Sequence, residues 1–192
     1  LGAVAAVGLV FAFGAIRLAA VRLGLDLNVW FAPGIEQALV SAFLRAAIPE
    51  EVAKFTILVL LVERDLDVRR RQNILPLAIA VSLGFAAFEN ILYLTQAEDW
   101  GRTAAIRAAA AVPGHAVFGM AMGAFMTFAK LDARRRPYFM VLALAVPTLF
   151  HGGYDFFLFM QHGHIDNTAR VLGWLGAFFT VGAVALRLAG II

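Results

Sequence analysis

The chain has 192 residues, of which 62% are hydrophobic and only 15% charged, and its mean hydropathy is +0.83. A soluble domain is near half apolar and a quarter charged, so this composition excludes an ordinary cytosolic globule, a disordered tail and a nucleic-acid reader. It leaves a polytopic membrane protein in one domain, residues 1–192. The net charge is +3, with fourteen Arg supplying most of the basic residues, and the lack of cysteine excludes a thiol nucleophile, a disulfide or a thiolate metal site.

About 20 apolar residues span a bilayer core as a helix. Apolar runs at 1–23, 36–62, 74–95, 103–130, 137–160 and 169–190 predict an all-α, polytopic transmembrane helical bundle of about six to seven spans. The sequence opens at Leu1 and not Met, so its start reads as trimmed and the first run as a membrane helix rather than a signal peptide. Residues 26–33 (DLNVWFAP) place Trp30 and Phe31 beside polar groups and read as an interfacial stretch or a plain connector. Short polar connections follow at 63–73 (ERDLDVRRRQN), 96–102 (QAEDWGR), 131–136 (LDARRR) and 161–168 (QHGHIDNT). The first and third of these hold Arg64, Arg69, Arg70, Arg71, Arg134, Arg135 and Arg136, with Lys130 at their edge, and the positive-inside rule turns both to the cytoplasm. His162 and His164 fall in an outward connection and read as solvated.

A charge in hydrocarbon is expensive, so an ionisable residue within a span is a functional candidate by default. Glu50, Glu51 and Lys54 follow Pro49; Glu89 and Asn90 lie in GFAAFENILYL; His115 lies in VPGHAVFG; His151 and Asp155 lie in FHGGYDF. Counted from the cytoplasmic ends at the helical rise, Glu50, Glu89, His115 and His151 all lie at a depth of about 20 to 23 Å. Four consecutive helices therefore carry their polar groups at one level, nearer the outer face. Their faces agree as well. Ser82, Glu89, Tyr93 and Gln96 form one stripe, Thr148, His151 and Asp155 share another, and His115 stands in a row of small residues with Ala111, Gly119 and Gly123. Asn90 and Tyr93 read as hydrogen-bonded bridges between helices, and Pro49, Pro113 and Pro147 as bends close to the motifs.

Imidazoles and carboxylates without thiols form a ligand set that suits zinc. His115, His151 and Glu89 supply such a shell, with Asp155 as a fourth ligand or as the group that orients an imidazole. A metal-activated water needs a base, and Glu50 or Glu51 is the natural one. Consecutive residues are about 100° apart on a helix, so one glutamate is expected to serve the water and the other a neighbour, with Lys54 paired to Glu50 four residues before it. Catalysis by Glu and His without metal is the alternative. Two readings outside enzymology also accommodate buried acids: an ion or proton-relay transporter, which often carries internal repeats that this sequence lacks, and a non-catalytic membrane binding or immunity protein.

These residues, in this order, resemble the PrsW family of intramembrane proteases, within the larger grouping of CAAX prenyl endopeptidases and bacteriocin-processing and immunity proteins. The resemblance rests on EExxK as Glu50, Glu51 and Lys54, FxxxE as Phe85 and Glu89 running on into Asn90, His115 after Pro-Gly, and HxxxD as His151 and Asp155, over roughly residues 45–160. It implies a helical-bundle peptidase of a bacterial or archaeal plasma membrane that cuts a single-pass, membrane-anchored protein, typically an anti-sigma factor, at a site near its outward side, and so starts regulated proteolysis. It also implies that the glutamate pair activates water while the histidines bind metal or polarise the scissile carbonyl. The wider grouping often has His where this chain has Glu89, and the HExxH signature of zinc-helix proteases is missing.

Overall fold

The structure, a computed structural model, describes residues 35–64 and 71–161, together with positions 2–4, 7, 8 and 22. Every segment of these is helical apart from the short connections. Helix α1 (Ile35–Leu39) runs through a π-helical stretch (Val40–Ala47) into α2 (Ile48–Arg64). Helix α3 (Arg71–Gln96) is followed by α4 (Trp100–Ile106), a second π-helical stretch (Arg107–Ala111) and α5 (Val112–Leu131), and then by α6 (Arg136–Gln161) after one 3-10 turn (Ala133–Arg135).

Three helices among the described residues are long and apolar enough to cross a membrane: Asn73–Gln96, Trp100–Leu131 and Ala133–Met160. The sequence predicts six to seven spans, and three is what the described residues carry. The run at 36–62 is helical throughout, but Glu50, Glu51 and Lys54 set it apart from a plain lipid-facing segment. The runs at 1–23, apart from a few helical positions, and at 169–190 lie outside the described residues, as do the 26–33 stretch, His162 and His164.

The connections are tighter than the polar stretches suggest, because caps start the next helix early. Asp99 accepts a hydrogen bond from the Arg102 backbone N–H at 3.0 Å, which lets α4 begin at Trp100, inside the polar stretch at 96–102. Asp132 does the same for Arg135 at 3.1 Å and turns the chain into α6.

Both π-helical stretches end two residues before a proline, at Ala47 ahead of Pro49 and at Ala111 ahead of Pro113. Proline has no N–H, and its ring crowds the carbonyl four residues back. Widening the preceding turn relieves that crowding: Ile48 N–H reaches back five residues to the Phe43 carbonyl, and Val112 N–H to that of Arg107. The bends expected at these prolines thus take the form of widened turns, one just before Glu50 and one just before His115.

Helix α5 is central, packed against α3 on one side and α6 on the other, while α6 also lies along the first π-helical stretch. The small-residue row explains the closeness of α3. A Cβ on Gly119 would lie 2.8 Å from the Ala78 carbonyl oxygen and from Ser82 Cβ, and one on Gly123 would lie 2.8 Å from Ala78 Cβ. Only glycine admits that approach. Below the level of the polar residues the bundle is closed by an apolar cluster of Leu58, Val62, Ile74, Ala78, Met122, Met126 and Ala143.

Candidate active site

The hub is Lys54 on α2. It is 1% exposed, and an ammonium so buried needs acceptors on every N–H. It donates to Glu51 Oε1 at 2.7 Å and to His115 Nδ1 at 3.0 Å, and its Nζ lies 3.8 Å from Glu50 Oε2. The sequence predicts Glu50 as the partner; the closer ion pair is with Glu51, three residues away rather than four. Both spacings are within reach along a helix, and the choice is made by α6. His151 Nδ1 stands 2.9 Å from Glu51 Oε1, so that one oxygen serves the lysine and the imidazole together.

His115 is fixed at both nitrogens. Because Lys54 offers only donors, Nδ1 is the acceptor and the ring proton is on Nε2, where it meets Glu89 Oε2 at 3.0 Å. Ser82 Oγ donates to the His115 carbonyl at 2.6 Å and fastens the backbone of the same residue to α3. Glu89 accepts in addition from Arg107 Nη2 at 2.8 Å, and Arg107 Nε donates to Asn90 Oδ1. Asn90 therefore bridges helices, as its position suggests. Tyr93 does so through its ring face, 3.9 Å from the Arg107 guanidinium, where the sequence predicts a hydrogen bond.

On the α6 side, the proton that His151 Nδ1 directs at Glu51 leaves Nε2 facing Asp155 Oδ2 at 3.4 Å and Glu50 Oε2 at 3.9 Å. The two imidazoles lie edge to face with centroids 5.2 Å apart, and Phe118 stacks on His151 at 4.8 Å. Adjacent Glu50 and Glu51 thus reach opposite nitrogens of one ring in spite of the angle between them. Beside this network lies a cavity of about 160 Å³, lined by Glu89, Arg107, His115, His151, Tyr154 and Asp155 among others. On such a measure it has room for several waters.

All the sequence-predicted site residues gather here: Glu50, Glu51, Lys54, Glu89, Asn90, Tyr93, His115, His151 and Asp155. Among the described residues, the group close enough together to hold a metal ion is Glu50, His115 and His151, whose donor atoms lie within 4.8 Å of one another. Glu89, predicted as a ligand, is occupied by His115 and Arg107, and Asp155 stands beside His151. Glu50 Oε2 and Glu51 Oε2 are buried without a hydrogen-bond partner. Two buried carboxylate oxygens without hydrogen-bond partners, beside two imidazoles, are hard and borderline donors of the kind that ligate a metal ion, so the residues present fit one.

Arg107 is the member that sequence reasoning missed. It lies within the apolar run at 103–130, eight residues before His115, and the rule that flags buried charge applies to it as to the others.

With the geometry in place, comparison with known proteins is decisive. A family profile described as PrsW family intramembrane metalloprotease matches residues 1–188. The chain belongs to the PrsW family. Relatives named Protease PrsW include that of Halalkalibacterium halodurans, 33% identical over 126 residues, which are 66% of this chain and 58% of the relative. Those of Shouchella clausii and Bacillus subtilis are each 36% identical, over 124 residues (64% of this chain, 56% of the relative) and 118 residues (61% and 53%). The matched stretch thus spans little more than half the length of these PrsW relatives. No solved structure matches the chain. PrsW family membership and the three apolar helices together make this an integral membrane protein of bacterial kind.

Proposed function

We propose that this chain is an intramembrane endopeptidase that hydrolyses a peptide bond of a single-pass, membrane-anchored protein in a bacterial plasma membrane, an anti-sigma factor being the fitting class of substrate. The observation that carries the reading is Glu50 Oε2, a buried carboxylate oxygen without a hydrogen-bond partner, 3.9 Å from His151 Nε2. An unsatisfied acceptor inside a membrane protein is costly and persists where function requires it. A water admitted between the two atoms would supply the missing partner.

In this reading Glu50 takes a proton from the attacking water and returns it to the amine nitrogen as the C–N bond breaks. Glu51 holds His151 in the orientation that aims Nε2 at the same water, while Glu89 fixes the His115 ring from Nε2 and leaves Nδ1 turned to Lys54. Phe118, Phe85 and the surrounding helices keep bulk water out, which strengthens each of these interactions. Glu50, His115 and His151 would hold the metal, with zinc the ion best matched to such donors. When bound, it supplies Lewis acidity that makes water a better nucleophile and polarises a carbonyl.

The test is cleavage of a single-pass substrate by the chain in lipid vesicles. Loss of cleavage in Glu50→Gln, His115→Ala and His151→Ala, with expression and melting retained, supports the assignment; full activity in all three discards it. Cleavage that persists after chelation and verified metal removal replaces the zinc mechanism with one run by Glu50 and the histidines alone.

A further inference from the structure

We propose that Lys54 is the internal cation of this site and competes with a divalent metal ion for it, so that a metal enters only as the ammonium withdraws from His115. The inference rests on the metal reading of Glu50, His115 and His151 given above, and concerns what already occupies their midst. Lys54 Nζ stands 3.0 Å from His115 Nδ1 and 3.8 Å from Glu50 Oε2, so it approaches two of the three donors.

His115 cannot serve both cations. Its Nδ1 lone pair is committed to Lys54 and its Nε2 proton to Glu89 Oε2 at 3.0 Å. A metal at Nδ1 takes the lone pair that Lys54 uses. A metal at Nε2 drives the proton to Nδ1, where it faces the ammonium, donor against donor. Either way the contact between Lys54 and His115 is lost. The repulsion between a divalent ion and an ammonium a few ångströms away acts in the same direction, and the dry surroundings screen it poorly.

The displaced lysine has somewhere to stay. Glu51 Oε1, 2.7 Å away on the same helix, belongs to the residue outside the three-donor set, and the Phe85 ring lies 4.6 Å from Nζ. A flexible four-carbon stem lets Lys54 keep Glu51 while it releases His115. The ammonium also offsets part of the negative charge of Glu50 and Glu51 from within the cluster.

The experiment is Zn²⁺ titration of the full chain in lipid nanodiscs, followed by calorimetry, for the wild type and for Lys54→Gln, Lys54→Met and Lys54→Arg. Lys54→Gln and Lys54→Met should bind Zn²⁺ about tenfold more tightly than the wild type or better, once the repulsion and the committed lone pair are gone. Lys54→Arg keeps a cation and should show no such gain, and Glu50→Gln added to Lys54→Gln should cancel it. Lys54→Gln keeps an N–H donor for Glu51, so it reports even if Lys54→Met fails to fold. Equal or weaker binding by Lys54→Gln than by a zinc-binding wild type overturns the competition and leaves the metal reading standing. Absence of Zn²⁺ binding in every variant overturns both.

Discussion

The two ends of the bundle hold acid–base pairs of almost the same length in opposite surroundings. At the arginine-rich end, Arg136 Nη2 donates to Glu63 Oε1 at 2.6 Å with the two side chains 54% and 50% exposed. At the other, Lys54 donates to Glu51 at 2.7 Å with the two side chains 1% and 0% exposed. Water competes for the first pair and solvates either partner when the other is removed, so an exposed pair contributes about 0 to 1 kcal/mol. No water replaces a missing partner in the second, where loss of one member costs about 3 to 5 kcal/mol. Distance alone says little about an ion pair. What differs is the state each charge falls back to.

Four measurements sharpen or break that contrast. The largest effect is expected on chemistry: Glu50→Gln should reduce cleavage by about 10²- to 10⁴-fold, as the loss of a general base does. The same change neutralises a buried carboxylate whose Oε2 has no hydrogen bond and whose cation, Lys54 Nζ, stands off at 3.8 Å, so the melting temperature should hold or rise, as is common where an active site stores instability. A large fall in melting temperature would show that Glu50 is structural. Next, Lys54→Ala should destabilise the chain by about 3 to 5 kcal/mol, measured by unfolding in detergent, because Glu51 keeps its charge and loses its cation. Adding Glu51→Gln should recover a good part of that loss. If Lys54→Ala alone is harmless, the pair is not as dry as its burial states.

Packing comes third. Gly119→Val places methyl groups where even a Cβ meets Ala78 and Ser82 at 2.8 Å, and should cost about 1 to 3 kcal/mol. It should lower activity as well, since Ser82 anchors the His115 carbonyl. The smallest effect belongs to the exposed pair: Glu63→Ala should shift stability by less than about 1 kcal/mol, and added salt should erase most of the difference. A shift as large as that of Lys54→Ala would abolish the distinction between the two ends.

Much of this was legible in the sequence, for definite reasons. Helices were readable because a chain in lipid must satisfy its backbone internally. The four motif segments at 36–62, 74–95, 103–130 and 137–160 fall on helices whose ends differ mainly where Asp99 and Asp132 cap the next element early. The common depth of Glu50, Glu89, His115 and His151 followed from the helical rise alone. The row at Gly119 and Gly123 announced a close neighbour, and α3 is that neighbour. Pro49 and Pro113 announced bends without revealing that the chain would widen a turn to five-residue bonds, since a proline only forbids the regular bond and does not say what replaces it.

The sequence by itself determined that costly charges would be buried, on which helices and at what level, because burial of an ion in lipid needs a reason and the helical rise is fixed. The tertiary structure alone decided who pairs with whom. Glu50 and Glu51 are both within reach of Lys54, and it was His151 arriving from α6 that drew Glu51 into the pair and left Glu50 open. Glu89 is as good a ligand as Glu50 in composition, yet Arg107 and His115 occupy it. Helix periodicity limits the partners a side chain can meet along its own helix; which of them it takes depends on groups that arrive from helices distant in the chain.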